Sequence, residues 1–409
     1  MVKKMTSRQR VMTALNFQET DRIPKDLGGM LSTSISAFAY PKLVEALSLP
    51  YRRPRVYDTN QMLAMPDMDV LDALGCDVVA VFNGATNGFD EPDKWHAYDF
   101  NGRLPAAVRD KSIFKDHPDG TITQPQYRIK MPITSTVFDE EHGGQPLDLS
   151  AVLPKPDLKE VKANNDKLFP KDKDIQGLIE LCKNTRQTTD KAIFISGPIY
   201  TGIAITAPGG LAVWPMICLT EPNFVYDYHA IMAENAIKLA DAILPELAPY
   251  IDIMMLASDD WGTQKTLIAP PRVFEELFLP HLRKINDCVH KHAPEVKTFL
   301  HCCGAVYDII DMIIESGFDI LNPVQWPAGG KSYREWKDRA RNRISLWGGG
   351  VNAQHTLPLG TMQDIQKEVD EIVQYLKQDG GYVFNSIHNI LAEIEPEKII
   401  RMYKTANQS

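Results

Sequence analysis

Lys297-Thr298-Phe299-Leu300-His301-Cys302-Cys303-Gly304 carries the first decision about this chain. The run Lys297–Leu300 reads as a short β-strand that ends in a polar, chemically active cluster. Side chains two apart on a strand share a face. His301 and Cys303 therefore point the same way, and Cys302 points the other. An imidazole nitrogen and a thiolate sulfur on one face supply two of the three protein ligands of an open zinc site.

Seven further segments have the same character of short, buried, parallel strands: Arg22–Leu27, Asp77–Phe82, Ala192–Gly197, Ile251–Ala257, Phe318–Pro323, Arg343–Trp347 and Gly381–His388. Helical patterns lie between the later ones, at Pro270–His292, Val306–Ser316, Tyr333–Arg341 and Met362–Lys377, and a last helix starts at Pro396. Strands alternating with helices imply a parallel sheet. Eight of them predict a closed (β/α)8 TIM barrel rather than a doubly wound sheet. A chain of 409 residues suits one barrel domain over 1–409 with insertions. The long interval between the second and third strands predicts a β-rich excursion at 95–150. There Thr121–Ile129 alternates polar and apolar residues, and Asp119-Gly120 is a hairpin signal.

The net charge of −9 argues against a nucleic-acid groove or a polybasic membrane contact. No apolar run is long enough to span a bilayer, and the start lacks the pattern of a signal peptide. The six cysteines have no disulfide-like rhythm, which predicts reduced thiols in a cytoplasmic protein. Nothing sets the oligomeric state, and a homo-oligomer stays open.

Barrel enzymes work at the C-terminal ends of their strands. Those ends here carry Asp259-Asp260-Trp261-Gly262-Thr263-Gln264, His301–Gly304, Asn322-Pro323-Val324-Gln325, Trp347-Gly348-Gly349-Gly350 and His388-Asn389. His301, Cys303 and His388 are the candidate metal ligands, with one position left for water or substrate. Asp259, Asp260 and His388 are the candidate catalytic groups, and one of the two aspartates is expected to face the site. Trp261, Gln264, Asn322, Gln325 and Trp347 are the candidate substrate contacts. Other readings stay open. The histidines can be rim hydrogen-bonders, Cys303 a small filler, and Trp261, Trp326 and Trp347 a plug in the barrel mouth. The Gly348-Gly349-Gly350 run can admit a ligand close to the backbone. His281 and His355 are expected at the surface.

With these residues in view, the chain resembles the uroporphyrinogen decarboxylase superfamily, and within it the corrinoid-dependent methyltransferases. Ser7-Arg8-Gln9-Arg10-Val11, Asp21-Arg22-Ile23-Pro24, Asp259–Gln264, His301–Gly304, Asp319–Gln325, Trp347–His355, Gly380–Ile390 and Pro396-Glu397 carry the resemblance. Thiol-methylating members hold zinc with a His-x-Cys pair and a later cysteine. His301 and Cys303 match the pair, and His388 stands where the later cysteine would be. Two neutral histidines and one thiolate leave the ion more electrophilic, which suits an oxygen donor better than a thiol acceptor. Decarboxylases of the superfamily also carry a histidine near this place, without zinc. Their eight-carboxylate substrate needs an arginine-rich loop after the first strand, whereas Asp26–Ser34 contains no arginine.

The resemblance thus implies an O-demethylase methyltransferase. Its substrate would be a methoxylated aromatic compound, and the methyl acceptor the Co(I) corrinoid (cobalamin) of a separate partner protein. Zinc on the ether oxygen, or a proton from Asp259 or Asp260, would offset the charge developing on the leaving phenolate. Methylcorrinoid:thiol methyl transfer, porphyrinogen decarboxylation and non-catalytic docking of a corrinoid carrier are the alternatives. No corrinoid domain is evident; Asp227-Tyr228-His229 is a near miss to a corrinoid-ligand motif, with Met232 where glycine is needed.

Overall fold

Short β-branched segments buried on both faces become the staves of the barrel. The computed structural model describes residues 4–87, 92–140, 153 and 155–408. Its staves are β1 (24–26), β2 (Val78–Phe82), β3 (Ala192–Ser196), β4 (Ile253–Ser258), β5 (Lys297–His301), β6 (Ile320–Asn322), β7 (Ser345–Trp347) and β8 (Tyr382–Val383). Strands β2 to β8 pair in parallel and in chain order. The seam is closed by β1. Lys25 bridges Phe384 in parallel, Asp26 N–H donates to the Phe384 carbonyl at 2.9 Å, and Asp77 N–H donates to the Lys25 carbonyl at 2.7 Å. The eight expected strands form the TIM barrel; seven are trimmed where their residues turn out of the sheet, and β4 starts two residues later than expected and runs one further, to Ser258.

Phe194, Phe299 and Trp347 fill the interior, their ring centroids 4.8 to 5.8 Å apart. Helix α1 (Ser7–Leu15) begins with a capping box at Thr6 and sends Val11 and Leu15 into the same cluster, sealing the floor. Beside it, Arg10 bonds Asp21 and Asp77 at 2.6 Å each, and Arg22 also reaches Asp77. The opening motif residues therefore clamp β1 against β2.

Outside the barrel, α2 (Pro222–Leu247), α3 (Leu279–His292), α4 (Met362–Leu376) and α5 (Pro396–Gln408) bury apolar faces on the sheet or on each other. A π-helical turn, Phe274–Phe278, precedes α3. It inserts a residue into the helical register and rotates the residues C-terminal to it. His281, expected at the surface, is buried (1% exposed), because its ring packs on Tyr226 of α2, with centroids 4.4 Å apart. No helix among the described residues is long and apolar enough to cross a membrane, and none of the six cysteines is in a disulfide.

Among the described residues, the β-rich material beyond the barrel forms two sheets. One has Lys115–Asp116, Ile122–Gln124, Ile129–Met131 and Asp139–Glu140, with Gly120 at φ +86° in the expected hairpin. The other joins His96–Tyr98 and Ala106–Val108 to Arg55–Asp58, Leu63–Ala64 and Ile35–Ser36, which precede β2. Residues 141–150 of the expected excursion lie outside the described residues.

Candidate active site

Strand β5 delivers His301 to the barrel mouth, and the turn after it returns Cys303 to the same side. Cys303 Sγ lies 3.0 Å from His301 Nε2. The segment after β8 brings His388 over the opening, its ring centroid 5.7 Å from that of His301. The ligand atoms of the three residues lie within 4.8 Å of one another. Cys302 faces the opposite way, buried, and its N–H donates to the Asn322 carbonyl at 2.7 Å.

The orientation of His301 is set by its neighbours. Asn322 donates its amide N–H to the Trp347 carbonyl at 2.9 Å, so its Oδ1 must face His301 Nδ1, 2.6 Å away. Nδ1 then carries the ring proton, and Nε2 presents its lone pair to Cys303. Ser32 Oγ, 2.9 Å from Nδ1, completes the support. His388 is held in the same manner, its Nδ1 against Asn389 Oδ1. Burial, and then the nearby His301, pull the His388 ring down to about 4, so it is neutral near pH 7. Burial, and then the adjacent Asp260 carboxylate, push the Cys303 thiol up in the metal-free protein.

The two adjacent aspartates separate cleanly. Asp260 faces the site: its Oδ1 accepts from Cys303 N–H at 2.9 Å and lies 3.6 Å from His301 Nε2. Asp259 is buried and accepts from Ile205 N–H and from the Trp261 indole, both at 2.6 Å. Burial pushes its carboxyl up to about 8 against the opposing pull of those two donors. The Asp260 loop reaches β5 because Gly262 and Gly304 cross in contact. A Cβ on Gly304, where φ is +87°, would come 2.1 Å from the Gly262 carbonyl oxygen.

The other sequence candidates divide between support and packing. Gln325 Oε1 accepts from Gly304 N–H at 2.8 Å, and its amide donates to Gln264 Oε1 at 3.3 Å. Asn322 and Gln325 thus hold the site residues in place, and Gln264 is joined to them. Trp261 is 1% exposed, packed on Phe274 and Phe278, and Trp347 is 0% exposed, its indole donating to Asp26 at 3.0 Å. Neither ring is open to a substrate here, because each apolar body completes a core while its N–H donates to a buried aspartate side chain. The glycine run brings the backbone close to neighbouring strand ends: a Cβ on Gly348 would lie 2.6 Å from the Pro323 carbonyl oxygen. His229, of the near-miss motif, is buried in α2 with Nδ1 on the Leu277 carbonyl.

The sequence assigned no role to Ser32, Asp26, Gln61 or, within the quoted strand end His388-Asn389, to Asn389. Asp26 is fully buried at the end of β1, and burial pushes its carboxyl up to about 6. A charged residue beside Lys25, inside a segment read as a buried strand, was its only signal. Gln61, from the insertion before β2, accepts from the Asn389 amide at 3.4 Å.

The pattern of the family described as uroporphyrinogen decarboxylase (URO-D) matches residues 139–409, about two thirds of the chain. The chain belongs to the uroporphyrinogen decarboxylase family. A uroporphyrinogen decarboxylase of Legionella pneumophila is 21% identical over 180 residues, 44% of this chain and 47% of the relative. The chloroplastic uroporphyrinogen decarboxylase 2 of Oryza sativa is 25% identical over 148 residues, 36% of this chain and 35% of the relative. The chain thus spans about half or less of the curated relatives it matches. A solved methyltransferase from Methanosarcina mazei shares the fold along 99% of both chains, with a TM-score of 0.55 at 16% identity.

Proposed function

We propose that this member of the uroporphyrinogen decarboxylase family is a methyltransferase. It would take the methyl group of a methoxylated aromatic compound and pass it to the Co(I) corrinoid of a partner protein. The observation that carries this reading is the triad His301, Cys303 and His388, with donor atoms within 4.8 Å of one another. One thiolate and two neutral imidazoles match zinc in ligand type, and Asn322 and Asn389 select the nitrogens that face inward. Zinc held there would supply Lewis-acid polarisation of the ether oxygen.

The chain's own residues do the rest. Asp260 accepts from Cys303 N–H and holds the turn that aims the thiol. Asp259, with its carboxyl pushed up to about 8, retains a proton near neutrality and anchors the 205 segment and Trp261 behind the site. The phenolate product leaves with the electron pair of the broken methyl–oxygen bond, so a site that stabilises anionic oxygen is what the reaction needs. Decarboxylation of a polycarboxylate is supported less. The side chains that hydrogen-bond the His301 ring, the Cys303 N–H and the His388 ring include Ser32, Asn322, Asp260 and Asn389, none of which carries positive charge.

Metal content tests the proposal. Purified protein should carry zinc that His301→Ala, Cys303→Ala and His388→Ala each lose, and it should demethylate methoxyaromatics when a Co(I) corrinoid is supplied. A protein that takes up no zinc at these residues, yet turns over porphyrinogens, would be a decarboxylase.

A further inference from the structure

Helices α2 and α3 lie side by side on the outside of the barrel, and each leads into the next stave, β4 and β5 respectively. Near their ends, away from the mouth, three side chains of metal-binding type converge. Cys288 and His292 stand four apart on α3, one turn from each other on the same face. Asp241 comes from α2. Its Oδ1 lies 2.8 Å from His292 Nε2 and 3.6 Å from Cys288 Sγ. The ligand atoms of the three lie within 4.8 Å of one another.

We infer that Asp241, Cys288 and His292 form a second, peripheral site for a borderline divalent cation, zinc in particular, with water in the remaining position. A His–Asp ion pair alone accounts for one of the two contacts on Asp241 Oδ1. The thiol directed at the same oxygen makes a three-donor set. Donors around tetrahedral zinc sit about 2.0 to 2.3 Å from the ion, hence about 3.3 to 3.8 Å from one another. The spacings found here need only side-chain adjustment to meet that. One thiolate, one imidazole and one carboxylate suit zinc or cobalt(II), whereas calcium and magnesium prefer oxygen alone. Carboxylate and thiolate together neutralise the ion, and the thiol proton leaves on binding. The ion would staple α2 to α3, the helices that enter β4 and β5, without contributing to chemistry at the mouth. This second site stands apart from the proposed activity.

Titration with cobalt(II) chloride or zinc chloride decides the matter. In a His301→Ala/Cys303→Ala background, one equivalent should still bind, cobalt(II) should give a thiolate-to-cobalt charge-transfer band, and zinc should raise Tm. Cys288→Ser in that background should abolish the band and the zinc-dependent rise in Tm, and Asp241→Asn should weaken both. If the background variant does not fold, the wild type should bind one equivalent more than Cys288→Ser alone. Absence of binding in the folded background variant, or equal binding with and without Cys288, overturns the site. Loss of metal from His301, Cys303 and His388 alone would instead sink the proposed activity and leave this site standing.

Discussion

Asn322 faces His301 across the β5–β6 pair with its amide orientation fixed by the Trp347 carbonyl, so a neighbouring strand chooses which nitrogen His301 offers to the mouth. Removing that choice should weaken metal binding without touching a ligand. Asn322→Ala should lower zinc affinity by about 10- to 100-fold, the usual effect of losing a partner that orients a metal-binding histidine. Asn322→Asp, which keeps an acceptor on Nδ1, should retain most of it. Chelator competition measures both, and an unchanged affinity in Asn322→Ala would show that Ser32 alone sets the ring.

Cys302 and Cys303 are adjacent and point apart, which separates structure from site. Cys302→Ala should cost about 1 kcal/mol of stability, typical of a modest core change, and leave zinc content intact. Cys303→Ala should lose zinc while denaturant unfolding of the metal-free protein moves little. The reverse pattern would mean that the strand presents its other face.

Gly262 and Gly304 have no space for a side chain. A Cβ on Gly262 would lie 2.3 Å from the Ala305 amide nitrogen, and only backbone movement can relieve that. Gly262→Ala should lower stability by about 1 to 3 kcal/mol, the range for strain at such positions, and lower zinc content because Cys303 sits in the displaced loop. Thermal unfolding and metal analysis read the two effects; a fully stable variant with normal zinc would show that the crossing tolerates a side chain.

Asp26 makes stability depend on pH in a direction opposite to the common paired carboxylate. Its folded-state value is pushed up to about 6 from an ordinary 3.8. Below the ordinary value both states are protonated, and the contribution is fully present. As pH rises through the interval up to the folded value, the unfolded chain ionises first and stability is lost, by about 3 kcal/mol at about 1.4 kcal/mol per unit. The difference in unfolding free energy between wild type and Asp26→Asn should therefore shift towards the variant as pH rises from the ordinary value of 3.8 to about 6, whatever its constant offset. A flat difference would mean that the Gly29 N–H and the Trp347 indole stabilise the anion fully.

Much of this was written in the sequence, for identifiable reasons. Runs such as Val78–Phe82 and Ala192–Ser196 are buried on both faces and contain no polar interruption, so their β character is local. The shared face of His301 and Cys303 follows from strand periodicity. Features that depend on long-range contact were not legible. Ser32 and Gln61 sit in loops before β2, and nothing near them in sequence points to His301 or Asn389. Trp261 and Trp347 look like rim aromatics until Asp259 and Asp26 are seen holding their indoles inward. The burial of His281 rests on its contact with Tyr226 of α2, a helix-to-helix contact that no local pattern marks. The sheet strands at Ile35–Ser36 and Leu63–Ala64 are two residues each, too short to show alternation.

The seam between β1 and β8 has a consequence for synthesis on the ribosome. Lys25 emerges early, but its parallel partner, Phe384, is made only after nearly all the other staves. Until then the free side of β1 is an open border of the growing sheet, while Asp77 is already able to recruit Arg10 and Arg22. That ionic clasp holds the first stave over the β2 edge and leaves the free side of β1 as the border that only the last stave can close.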